Sequence, residues 1–111
     1  MTRQDKAERQ AQIAKRKLEV GHILLACWGY DQTNVEFFQV TKLIDAHSVE
    51  LCEIAQDVTE TGWAQGTTLP KLDHFIGQPI VKRDLGGMIK FESNRWAYIW
   101  QGKPAYWTAY A

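Results

Sequence analysis

Ile23-Leu24-Leu25-Ala26-Cys27-Trp28, then Gly29-Tyr30-Asp31-Gln32-Thr33-Asn34, then Val35-Glu36-Phe37-Phe38-Gln39-Val40-Thr41-Lys42-Leu43-Ile44 is the stretch that decides the fold. The first segment is a nearly continuous apolar run of strand length, which reads as a buried strand. The second is a polar turn. In the third, residues alternate between two faces, and both faces carry large apolar side chains, so each must be covered. Residues 45–48 (Asp-Ala-His-Ser) have the composition of a hairpin loop, and residues 47–54 alternate again. Together these segments predict three strands in an antiparallel meander.

Outward from the meander the signals weaken. Residues 55–75 are punctuated by Gly62, Gly66 and Pro70 and read as a long loop with a short strand near residues 61–64. Residues 80–82 and 88–91 read as short strands joined in a hairpin by Arg83-Asp84-Leu85-Gly86-Gly87, whose paired glycines permit positive φ. Residues 93–100 suit a final strand or one helical turn, and residues 105–111 form an aromatic tail. Toward the N-terminus, residues 2–18 are rich in Ala, Gln, Lys, Arg and Glu without Gly or Pro. They predict a helix with a thin apolar stripe, Ala7, Ala11, Ile13, Ala14 and Leu18. The expected architecture is one mostly-β (α+β) domain: a charged helical arm over residues 1–19 and a small SH3-like antiparallel β-barrel over residues 20–111. A five-stranded OB-type barrel is the alternative.

A chain of 111 residues is one domain's worth. Thirteen basic and thirteen acidic side chains cancel, which removes the global basic excess typical of a dedicated nucleic-acid binder. The charge is nevertheless segregated. Residues 1–19 hold six cations (Arg3, Lys6, Arg9, Lys15, Arg16, Lys17) against three anions, whereas residues 43–70 hold Asp45, Glu50, Glu53, Asp57 and Glu60 with no Lys or Arg. The opening residues are charged where a secretory signal needs an apolar run, and no segment approaches a membrane span. A cytoplasmic setting with Cys27 and Cys52 as buried, reduced thiols is the economical expectation.

The three histidines, His22, His47 and His74, have no metal-ligand spacing, and the cysteines form no Cys-x-x-Cys. Gly86-Gly87 opens no helix and is too short to cradle phosphate. These features predict no catalysis and no cofactor. The rings point elsewhere. Trp28, Tyr30, Asp31, Gln32 and Asn34 put two aromatic side chains beside amide and carboxylate groups in one turn, which suits a recognition surface as well as plain turn chemistry. Residues 95–110 hold six rings, and Arg95, Trp100, Tyr106 and Trp107, with Trp63 of the central stretch, complete the candidate contact residues. Rings near Arg83, Lys90, Arg95 and Lys103 suit single-stranded bases, and they suit equally the anchors of a protein interface. The arm residues Arg9, Lys15, Arg16 and Lys17 would supply positive charge to either.

The run Trp28-Gly29-Tyr30-Asp31-Gln32-Thr33-Asn34, with Thr61-Gly62-Trp63 and Trp100-Gln101-Gly102-Lys103-Pro104, resembles a family of small uncharacterised proteins of phages, prophages and plasmids, over residues 18–111. That family has no established activity or catalytic residue to transfer. The resemblance implies a mobile-element context, in which small proteins bind and block host defence machinery or serve DNA maintenance. The expectation is a non-catalytic module, monomeric or homodimeric, that inhibits a host defence complex such as a CRISPR effector by binding it. The arm would enter an acidic groove, and the acidic residues of positions 50–60 would mimic phosphates. A single-stranded nucleic-acid binder using the aromatic residues and the basic arm is the alternative.

Overall fold

A computed structural model describes residues 18–28, 33–92 and 95–109. The expected helical arm lies outside these residues, as do Arg9, Lys15, Arg16, Lys17, Tyr30, Asp31 and Gln32. The described chain is eight antiparallel strands with no helix: β1 (Ile23–Trp28), β2 (Asn34–Leu43), β3 (Ser48–Gly62), β4 (Gln65–Phe75), β5 (Ile80–Arg83), β6 (Met88–Glu92), β7 (Arg95–Ile99) and β8 (Ala105–Thr108). They form one sheet in the order β6-β7-β1-β2-β3-β4-β8, with β5 paired to β3. The predicted meander is β1-β2-β3, with Leu25 opposite Phe37 and Phe37 opposite Ile54.

Two-sided alternation makes two cores. Leu24 and Ala26 of β1, Phe38 and Val40 of β2, and Val49 and Leu51 of β3 face one side, where Ile89, Ala97 and Leu18 join them. Leu18 is fully buried there, so the N-terminal end of the described chain is anchored in this core. On the opposite face Ile23, Phe37, Ile54 and Ala105 pack with Leu25, Val35 and Trp100, whose indole meets Phe37 edge-on at 6.1 Å. At roughly 25 cal/mol per Å² of apolar area removed from water, burial on both faces is what holds so small a sheet together.

Four expectations are corrected. The barrel does not close. The strands expected to form a hairpin at residues 80–91 do not pair with each other: β5 pairs with β3 and β6 with β7, and although β5 and β6 touch, no ladder joins them. The turn between them explains the gap. The Asp84 carboxylate accepts from Gly87 N–H at 2.8 Å, Leu85 N–H donates to Met88 O at 2.8 Å, and Asp84 N–H donates to His47 O at 2.7 Å. The first two bonds close the turn, and the last ties it to the β2–β3 loop. Gly86 (φ 80°) and Gly87 (φ 93°) supply the left-handed geometry that the glycine pair predicts.

Residues 55–75 form no long loop; they are most of a hairpin, β3–β4, with Gln56 opposite Pro70 and Thr59 opposite Thr67. Threonines and Val58 favour a pleated backbone without an apolar face, so the segment has strand propensity but no hydrophobic period to reveal it. The ladder slips between Ile54 and Gln56, where β4 bulges around Asp73 (φ 64°). Gln39 clamps that bulge: its side-chain amide donates to Asp73 Oδ1 and its carbonyl accepts from Asp73 N–H, both at 2.8 Å. Finally, Cys27 is exposed, while Cys52 is buried and donates its thiol to Gly77 O at 3.0 Å; both thiols are free.

Candidate binding surface

The β1–β2 ladder brings Trp28 opposite Asn34 at the mouth of the polar turn. From there a compact cluster forms. Trp28 Nε1–H donates to Glu36 Oε1 at 2.8 Å, and Arg95 Nη2 lies 2.8 Å from Oε1 and 3.1 Å from Oε2 of the same carboxylate. The guanidinium stands over two rings, 5.7 Å from the centroid of Trp28 and 5.1 Å from that of Phe91. Phe91 stacks in turn on Phe38 at 4.8 Å, and Lys82 Nζ is 5.7 Å from its centroid. Asn34 Nδ2 donates to Trp28 O at 3.3 Å, so this amide supports the turn. Burial pushes the Glu53 carboxyl above its ordinary range, the nearby Glu36 charge adds to that, and Arg95 opposes it. Arg95 therefore acts as a clamp for Glu36 and Trp28, and its charge is compensated. Glu36 and Phe91 carry this cluster without having been candidates, since a charged residue in an alternating strand looks like a solvated face.

The second group sits on the β3–β4 hairpin and β8. Beyond Gln56 the hairpin has β8 along its β4 edge: Gln65 pairs with Thr108 and Thr68 with Ala105. Trp63 stands at the tip, 81% exposed, beside Ala64 (φ 54°), whose carbonyl accepts from Ala109 N–H at 2.8 Å. An alanine at positive φ is uncommon, and the bond from Ala109, just past β8, holds it there. Tyr106, 55% exposed, donates to Gln65 Oε1 at 3.2 Å. Trp107 is half-buried over Gly66 and donates to Thr67 O at 3.1 Å. Trp100 belongs to the second core, where its indole N–H donates to Lys103 O at 2.7 Å. Along β8, Tyr106 faces outward and its neighbour Trp107 packs inward.

The two groups meet. Thr33 N–H donates to Thr108 Oγ1 at 2.7 Å, and Thr108 N–H donates to Thr33 O at 3.2 Å, so the turn of the motif is tied to β8. Between them lies an open cavity of about 270 Å³ lined by residues including Asn34, Val35, Gln56, Val58 and Trp107. Gln56 fixes its floor, donating to Val35 O at 2.7 Å and accepting from Thr68 Oγ1 at 2.8 Å. Asn34, Trp107, Tyr106 and Trp63 thus share one end of the molecule. The acidic residues of positions 50–60 do not form one patch: Glu50 accepts from Thr41 Oγ1 at 2.9 Å, Glu53 lies beside Glu36, and only Asp57 and Glu60 are exposed on the hairpin.

The candidate catalytic groups stay apart. His22 Nδ1 accepts from Glu19 N–H at 3.1 Å, His47 sits in the β2–β3 turn, and His74 is exposed in the β4 bulge. Burial pushes the Cys27 thiol pKa up, the wrong direction for a nucleophile. Among the described residues no group of three or more His, Cys, Asp or Glu side chains converges as metal ligands, and no helix is long and apolar enough to cross a membrane. Comparison with protein-family models, curated proteins and solved structures returns no match.

Proposed function

We propose that the chain is a non-catalytic protein-binding module whose contact element is the β3–β4 hairpin. The observation that carries this reading is Trp63, 81% exposed at a turn whose Ala64 carbonyl is held by the Ala109 N–H just past β8. A large ring kept in water is costly for a folded chain, and a rigid one loses little freedom on docking, so tryptophan in this setting suits an interface anchor. Residues 55–69 contain Asp57 and Glu60 and no Lys or Arg. Asp57 pairs with Leu69 and Glu60 with Gly66, so the two carboxylates project from opposite faces of the hairpin. The complementary partner groove is apolar at its base and basic at both rims, the character of a protein channel that holds nucleic acid. With the resemblance to mobile-element proteins, the partner class is a host defence complex such as a CRISPR effector, and the effect is inhibition by occupation of that channel.

The test is target cleavage by purified effector complexes titrated with the full chain and with Trp63→Ala. Inhibition by the parent and its loss in the variant, at unchanged thermal stability, supports the reading. Equal inhibition by both proteins, or none by the parent, overturns it.

A further inference from the structure

On the face of the sheet that carries the second core, β6, β7 and β1 leave a platform that the hairpin does not touch. Tyr98 lies opposite both Met88 and Leu25, and Trp96 lies opposite Lys90. Trp96 and Tyr98 are two residues apart on one strand, so their rings stand on the same face roughly 6.6 Å apart along it. Tyr98 is 55% exposed, and Lys90 Nζ sits 5.2 Å from the Trp96 ring centroid. Beside Tyr98 opens an apolar groove of about 400 Å³, lined by residues including Leu25, Cys27, Trp100, Lys103 and Pro104 and by no Asp or Glu. That volume is within the range of about 300–1,000 Å³ typical of ligand sites. The far wall is preformed: the Trp100 indole is fixed by its bond to Lys103 O at 2.7 Å and by the edge contact with Phe37.

We propose that this platform is a binding site for single-stranded nucleic acid, with one base stacked on Tyr98 and inserted beside Trp100, a neighbour beside Trp96, Lys103 on the phosphate flanking the first base, and Lys90, which stands over the Trp96 ring in the free chain, on the phosphate flanking the second. The chemistry of the walls selects that occupant. Flat rings at strand spacing accept base faces, while Lys103 in a groove lined by no carboxylate, with Lys90 at the neighbouring Trp96 ring, favours an anionic backbone. Compensation separates this site from the Trp28 cluster, where Glu36 already neutralises Arg95. The assignment is independent of the hairpin reading and uses different residues.

The experiment is fluorescence anisotropy of labelled oligo-rU and oligo-dT with the full chain between about 50 and 200 mM salt. Two phosphate contacts predict a log–log salt slope of about −1.4 for a single strand. Tyr98→Ala weakens binding roughly tenfold by loss of one stacking platform. Lys103→Glu weakens it further, and Trp63→Ala binds like the parent. Tighter binding of oligo-rU assigns the strand as RNA, and tighter binding of oligo-dT as DNA. No binding at low salt, tighter binding of a duplex, or binding indifferent to both Tyr98→Ala and Lys103→Glu overturns the proposal. Both side chains are exposed, so unchanged unfolding curves separate lost contacts from lost fold.

Discussion

Gly66→Ala is the sharpest perturbation of the hairpin. Gly66 is buried in β4, paired with Glu60 on one side and Trp107 on the other. A Cβ there would stand 2.8 Å from Trp107 Cζ2 and 2.9 Å from Cε2, and well inside contact distance of the Thr59 backbone oxygen. A carbon normally meets an oxygen at about 3.3 Å, so β3 and β4 must part by about 1 Å or the Trp107 ring must leave the ladder. A flexible side chain could yield, but the Thr59 oxygen is backbone in a paired strand. Overpacking of this kind costs about 1–3 kcal/mol, and one strained ladder bond adds about 1 kcal/mol. The lower chain entropy of alanine in the unfolded state returns about 0.5–1 kcal/mol. The net destabilisation is about 1–3.5 kcal/mol, which for a domain of this size lowers Tm by roughly 4–17 °C. Thermal and urea unfolding followed by tryptophan fluorescence measures it. A Tm within about 2 °C of the parent would refute the close pairing of β3 with β4 at Gly66.

Gln39→Ala leaves the Asp73 amide and carboxylate of the β4 bulge without their clamp and costs about 1–3 kcal/mol in urea unfolding, whereas Asp73→Asn, which tolerates positive φ, costs less than Gln39→Ala. Glu53 has its folded-state pKa raised, so the native state holds its proton more tightly than the unfolded chain and stability falls as pH rises through the carboxylate range. Glu53→Gln should therefore stabilise the protein at neutral pH, with the advantage shrinking below the ordinary Glu range; a constant difference across pH would contradict the assigned cause. With a thiol-disulfide reagent, Cys27, exposed at the surface, reacts in the native protein and Cys52 only on unfolding, and Cys27 reacts more slowly at neutral pH than an unperturbed thiol because partial desolvation of its sulfur raises its pKa.

What the sequence made legible follows from what periodicity can report. β1 and β2 could be read within about a residue, because Ile23–Trp28 is an unbroken apolar run and residues 35–44 alternate with large side chains on both faces. The second core was implicit in that two-sided pattern. The hairpin was not, because Thr59, Thr61 and Thr67 keep a strand through backbone bonding and β-branching, while the glycines and proline nearby read as loop punctuation. The open seam between β5 and β6 depends on Asp84 reaching His47, and the bulge depends on Gln39 reaching Asp73 across 34 positions, neither of which has a local signature. Likewise the sequence places Arg95 among the cations near the aromatic residues, and only its distance to Glu36 shows its charge compensated. Trp63 was visible as a ring between glycines; its exposure came from the fold.

Hydrogen–deuterium exchange of the full chain, alone and with each purified effector complex of the cleavage assay, tests the hairpin reading most directly. Slowed exchange confined to residues 60–67 and the adjoining β8 is the predicted result. Unchanged exchange there, with protection appearing only on the β6–β7–β1 platform, would contradict it.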